Sequence, residues 1–222
     1  MKTKVGIDLD GVLRDTFLKI SQIYEKNYLE EYSDEFSEPI KTYTLDESGN
    51  TSLNEIEDNF KYEMIFPLVN LELKEHFKFP TEDDFYNFLY EDFVMQIFGH
   101  SPSTEMDTFV VLNDLIESNK ENYEFSIFSK GVGKSKPASL FFISKFGCLI
   151  DSVIFYNNNN LQKKLSNYDV IITSNPEIIK LYPEKCVKFK TSYNQDVIAN
   201  CEIDTIKDLI KNIESIKYVD LI

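Results

Sequence analysis

From residue 123 onward the sequence alternates short apolar runs with helical patterns, and this alternation limits the fold more than any other feature. The runs at 125–128, 152–156, 170–173 and 186–190 are short and rich in β-branched and aromatic side chains, which predicts strands. Between them, residues 137–146, 161–165 and 175–182 read as helices. Pro137 suits a first turn, Gly147 a C-terminal cap, and Asn175-Pro176 a helix start. Ile206, Leu209, Ile210, Ile213 and Ile216 mark a final helix. Alternation of this kind predicts an α/β fold with a mostly parallel sheet and helices on both faces.

One further strand opens the chain. Val5 and Ile7 are its apolar residues, Asp8 and Asp10 fall at its carboxyl end, and Gly11 breaks it. Open α/β sheets place their ligands outside the carboxyl ends of their strands. Of two carboxylates there, one can bind a metal or attack an electrophile and the other can shuttle a proton. A plain strand followed by an acidic turn contains the same residues.

Residues 15–104 separate this strand from the alternating region and read as a largely helical insertion, leaving 1–14 and 105–222 as the core. Phe17, Ile20, Tyr24 and Tyr28 share one face of a helix over 16–30. Residues 33–54 are polar and turn-rich and read as an irregular connection. After Pro80, Thr81 and Asp84 have capping-box spacing, and Phe85, Phe88, Leu89, Phe93 and Ile97 form one apolar stripe that ends at Gly99 and Pro102. Met106, Phe109, Val110, Asn113 and Ile116 outline the next helix.

Composition narrows the partners. A formal charge of -15 argues against nucleic acid polymers, whose affinity comes largely from Lys and Arg on phosphates, while a basic protein surface fits it. No apolar stretch is long enough to cross a membrane. Cys148, Cys186 and Cys201 lack metal-ligand spacing, and with no signal peptide in view a reducing cytoplasm is expected. His76 and His100 have no nucleophile or metal pattern beside them and read as structural. Arg14 can stabilise a negative ligand near Asp8 or pair with Asp15.

The pattern Asp8-Leu9-Asp10-Gly11-Val12-Leu13 resembles motif I of the haloacid dehalogenase (HAD) superfamily, and is similar to that of its 5'(3')-deoxyribonucleotidase branch and their phage relatives. The resemblance implies a HAD-like Rossmannoid core with a cap, of the type called C1, inserted after the first strand. It implies Asp8 as the nucleophile that takes up a phosphoryl group, Asp10 as general acid and base, and both as ligands of Mg²⁺, Asp10 through its carbonyl. Ser129 stands at the second motif, where its hydroxyl and the following backbone, with Lys130 and Gly131, would bind phosphate.

Two departures accompany the resemblance. Asn159 stands where the family has a lysine, although Lys163 or Lys164 could reach in. Thr173 and Ser174 occupy the acidic positions of the fourth motif. Asp169 cannot stand in for them, because four residues along a strand is about 13 Å. Two functions are therefore expected in parallel. One is phosphoric monoester hydrolysis assisted by Mg²⁺, on a small phosphorylated molecule such as a deoxynucleoside monophosphate, with impaired or lost activity. The other is a catalytically silent binding or assembly module with a protein partner, in a host cytoplasm if the chain is viral.

Overall fold

The computed structural model describes residues 2–30, 41–45, 51–55 and 60–209. The chain opens with β1 (Thr3–Asp8) and α1 (Thr16–Tyr24), which winds on into wider π-helical turns over Glu25–Glu30. A hairpin of β2 (Lys41–Leu45) and β3 (Thr51–Glu55) follows, then the short α2 (Leu73–His76) and α3 (Glu82–Asn87). Further π-helical turns at Phe88–Asp92 and Met95–Gly99 lead to α4 (Thr108–Asn119). Thereafter strand and helix alternate: β4 (Tyr123–Lys130), α5 (Ser135–Lys145), β5 (Ser152–Tyr156), α6 (Leu161–Leu165), β6 (Val170–Thr173), α7 (Pro176–Leu181), β7 (Cys186–Phe189) and β8 (Cys201–Ile203).

Six strands form one parallel sheet in the order β5-β4-β1-β6-β7-β8. The chain builds outward from β1 to β5 on one side, then crosses back to β6 on the other. That reversal makes β1 the switch point, where a crevice opens beyond the strand ends. The register brings the ends together: Asp8 lies opposite Phe128 of β4, and Ile7 opposite Ile172 of β6.

Alternate strand residues pack on opposite faces, as a pleated sheet requires. Ile127, Val170 and Ile172 meet α4 and α5 through Phe109, Leu112, Leu115 and Phe142. Phe128 and Ile171 meet α6 and α7 through Leu165, Ile178 and Ile179. A third cluster joins the segment between β1 and β4 to α5, with Tyr24, Phe77, Phe88, Ile97 and Phe98 packed beside Ala138 and Tyr193. Apolar burial of this extent, at about 25 cal/mol per Å², is the main force holding the layers together.

The predicted capping box at α3 is present: Thr81 Oγ1 accepts from the Asp84 N–H, and Asp84 Oδ2 accepts from the Thr81 N–H. Three expectations need correction. Residues 33–54 are not wholly irregular, because β2 and β3 pair antiparallel over residues 41–45 and 51–55. On α4 the inward face is Phe109, Val111, Leu112, Leu115 and Ile116, while Val110 faces solvent and Met106 precedes the helix fully exposed. A sixth parallel strand, β8, is too short at three residues to register as a pattern. The final helix starts at Ile206, but its predicted continuation lies outside the described residues.

Candidate functional site

Beyond β1 the backbone turns sharply. The Leu9 carbonyl accepts from the N–H groups of Leu13 and Arg14, and the Arg14 carbonyl accepts from Gly11. Gly11 has φ +79°, and a Cβ there would stand 2.3 Å from the Tyr193 hydroxyl and 2.4 Å from Ser174 Oγ. Both the positive φ and the crowding demand glycine. This turn carries Asp10 away from the strand and returns Arg14 beneath it.

Asp10 is held from four directions. Its Oδ1 accepts from Arg14 Nη2 at 2.6 Å, Arg14 Nε at 3.1 Å and the Thr16 hydroxyl, and its Oδ2 accepts from Ser129 Oγ at 2.8 Å. Burial pushes this carboxyl up, but the Arg14 charge and the hydrogen bonds from Thr16, Arg14 and Ser129 outweigh it and hold the group below the usual carboxylate range. Arg14 therefore pairs with Asp10, not Asp15. Asp15 instead caps α1 by accepting from the Leu18 N–H, which leaves the guanidinium free to turn inward.

Asp8 is 3% exposed, and its Oδ2 accepts from Thr173 Oγ1 at 2.6 Å. Burial, then the Asp10 charge, push its carboxyl well above the ordinary range; the bonds from Thr173 and the Asp10 N–H offset only part of this. A chain of hydroxyls closes the far side. Tyr193 donates to Ser174 Oγ at 2.8 Å, and Ser174 Oγ approaches the Asp10 carbonyl at 3.4 Å. Asn194 fixes the loops behind them by donating to the carbonyls of Ser174 and Phe189, each at 2.8 Å.

Asp8 and Asp10 line a cavity of about 570 Å³. Lys130, Asn158, Ser174 and Glu177 come to it from the sheet side, and Leu71, Glu72, Leu89, Tyr90 and Phe98 from the segment between β1 and β4. Burial, then the Asp10 charge, push the Tyr90 hydroxyl up to about 12, so it lines the cavity as a neutral phenol.

The structure thus brings Asp8, Asp10, Ser129, Thr173 and Ser174 together, with Lys130 on the cavity wall. It does not bring Asn159 in: that residue is exposed, its N–H donates to Asn157 Oδ1, and its neighbour Asn158 lines the cavity instead. Lys163 and Lys164 are exposed on α6 and absent from the lining. Gly131, expected at the phosphate site, donates its N–H to the Tyr156 carbonyl at 2.9 Å. Thr16 and Tyr193 were not anticipated as parts of the site. A polar residue following the turn was the available hint for Thr16, whereas Tyr193-Asn194 after the last strand resembles the nucleotidase branch as a fold signature and carries no chemical signal.

No protein-family model matches the sequence, and a search of curated proteins finds no match. Among solved structures, the chain resembles a haloacid dehalogenase-like hydrolase from Burkholderia xenovorans LB400, with 10% identity and a TM-score of 0.53 over 98% of this chain and 99% of that one. Two structures of a dehalogenase, one of them with an intermediate complex, are 11% identical over 95% of this chain and 96% of theirs, with TM-scores of 0.48 and 0.49. The fold is that of the haloacid dehalogenase-like hydrolases: a Rossmann-like α/β core with a parallel six-stranded sheet. Among the described residues, no helix is long and apolar enough to cross a membrane.

Proposed function

We propose that this chain is a HAD-fold small-molecule-binding protein in which phosphoester hydrolysis is suppressed. The observation that carries this reading is that both oxygens of the Asp10 carboxylate are engaged, by Arg14 and Thr16 on one and Ser129 on the other. Phosphoryl transfer through an aspartyl intermediate needs an ionised nucleophile and a protonated acid beside it. Here the environments push the pair the other way. Burial and the Asp10 charge raise the carboxyl pKa of Asp8, the residue in the nucleophile's place, while Arg14, Thr16 and Ser129 favour the carboxylate form of Asp10.

The donor set does not fit Mg²⁺. This hard ion prefers several carboxylate and water oxygens in octahedral array. Of the acidic pair, only Asp8 is not committed to Arg14, and Thr173 and Ser174 turn hydroxyls towards Asp8 and the Asp10 carbonyl. Glu72 and Glu177 line the cavity, yet among the described residues no group of three or more His, Cys, Asp or Glu is placed to hold a metal ion.

The cavity volume lies in the range of small-molecule sites. Lys130 on its wall gives an anionic group one cation, and Phe17, Tyr90 and Phe98 offer aromatic surface to a ring. A small phosphorylated molecule, with deoxynucleoside monophosphates first in line, is therefore the proposed ligand. The test measures phosphate release from a panel of these nucleotides in millimolar Mg²⁺, beside their binding by calorimetry. Suppressed hydrolysis predicts release no faster from wild type than from Asp8→Asn, with binding retained in wild type. Turnover that needs Mg²⁺ and vanishes in Asp8→Asn overturns the reading.

A further inference from the structure

Arg14 is fully buried, and its guanidinium meets three separate parts of the molecule. Nη2 and Nε bind Asp10 in the turn after β1. Nη1 donates to the Phe98 carbonyl, at the end of the segment that precedes α4, and to Ser139 Oγ of α5 at 3.0 Å. The Cζ atom lies 5.2 Å from the ring centroid of Phe98 and 5.3 Å from that of Phe142, within cation–π range of both. Only arginine has a fork wide enough to serve these sites at once.

The same stretch is seated closely on α5 by other contacts. Gly99 lies so near that a Cβ would be 3.3 Å from the Phe141 ring, and the His100 ring stands 5.2 Å from that of Phe141. Exposed Lys134 pairs with Glu91 across the same junction. Of these contacts, the Arg14 guanidinium is the one that also reaches the acidic pair. A shift of residues 94–101 away from α5 takes the Phe98 carbonyl from Nη1 and leaves a buried cation short of a partner, at substantial energetic cost.

We propose that Arg14 is a positioning residue that couples the seating of residues 94–101 on α5 to the placement of the Asp10 carboxylate. The wall of the cavity formed by Phe98 and the acid at its base then move as one unit. This coupling rests on the packing alone and holds whether or not the site turns over a substrate.

Hydrogen–deuterium exchange of the full chain tests it. Arg14→Lys keeps a charge for Asp10 but has no fork to reach Phe98 and Ser139. Exchange over 94–101 is expected to rise about tenfold, in line with loss of one charge-assisted hydrogen bond, while β6 and β7 stay as in wild type. Asp10→Asn, which has no bond to residues 94–101, is expected to loosen the same stretch, because coupling between two sites is reciprocal. That second effect is one a merely structural Arg14 would not transmit. Unchanged exchange over 94–101 in Asp10→Asn overturns the proposal, as does a rise in either variant shared equally by β6 and β7. Should Arg14→Lys fail to fold, Asp10→Asn decides the matter alone: a rise confined to 94–101 supports the coupling, and no rise or a uniform one refutes it.

Discussion

The Thr173 hydroxyl and the Asp8 carboxylate, 165 residues apart in sequence, are joined by a 2.6 Å hydrogen bond at the carboxyl ends of neighbouring strands. Thr173 is also the acceptor for the Asn175 N–H that begins the turn into α7. One hydroxyl thus satisfies Asp8 and shapes the loop, and it does both without bringing a charge to the site.

Replacing Thr173 by Asp changes that balance. Thr173→Asp sets a second carboxylate against Asp8 in a buried place, and like charges there repel strongly. Without metal the variant is expected to melt below wild type. With MgCl₂ its Tm should recover, since a ligand that binds only the folded state stabilises it by about 1.4 kcal/mol at ten times its Kd. Wild type should show no such response in differential scanning fluorimetry. A wild-type Tm that climbs with Mg²⁺ would mean that the native donor set already holds the ion.

Asp8→Asn is expected to stabilise the protein at pH 7, on the order of 1 kcal/mol, as removal of a strained site group commonly does. The pH dependence follows from the direction of the shift. A carboxyl whose folded pKa lies above its unfolded value loses stability as pH rises from the unfolded value towards the folded one, and the deficit persists above it. The gain from Asp8→Asn should therefore be small at pH 3 and larger at pH 7. Urea melts of both proteins across this range measure it, and a variant less stable than wild type at pH 7 contradicts the account of Asp8.

Asp10 has the opposite sign. Its folded pKa lies below the ordinary value, so its contribution is complete above that value and is lost as pH falls through the folded one. Asp10→Asn leaves the buried Arg14 guanidinium without its counter-charge, which should cost about 3 kcal/mol at pH 7. The cost should hold down to roughly pH 5 and shrink below about pH 4, where the unfolded wild-type chain begins to take up the proton that the folded site still refuses. Denaturant midpoints at pH 7, 5 and 3 give the comparison.

Much of this arrangement was legible in the sequence for identifiable reasons. Short apolar runs with Asn, Asp and Ser at their edges placed β5, α6 and β6, and Asn175-Pro176 placed α7, at the observed residues, because local chemistry decides such boundaries. The parallel order then put Asp8, Ser129 and Thr173 at neighbouring strand ends. What stayed hidden depends on long-range contact. Arg14 has Asp15 beside it and Asp10 four residues back, and the choice of the farther acid is made by Phe98, Ser139 and Phe142, which lie 84 to 128 residues away. Val110 and Phe109 are neighbours with similar hydropathy, and only the docking of α4 on the sheet turns one inward.

The crowding at Gly11 supplies the last prediction. A methyl group there meets two obstacles of different kinds: a φ of +79°, which side-chain-bearing residues resist, and the hydroxyls of Tyr193 and Ser174 within 2.4 Å. Backbone strain at such a position costs about 1 to 3 kcal/mol whatever the neighbours do. The clash with Tyr193 is separable, since its hydroxyl is the nearest atom and Tyr193→Phe removes it. Gly11→Ala should thus destabilise strongly, and Gly11→Ala with Tyr193→Phe should lose less than the two single effects added together. A coupling between 0.5 and 3 kcal/mol, in the range usual for residues in contact, is the expected result of the double-mutant cycle. Strict additivity would mean that the hydroxyl chain from Tyr193 to Ser174 does not press on the turn, and that backbone conformation alone keeps glycine at position 11.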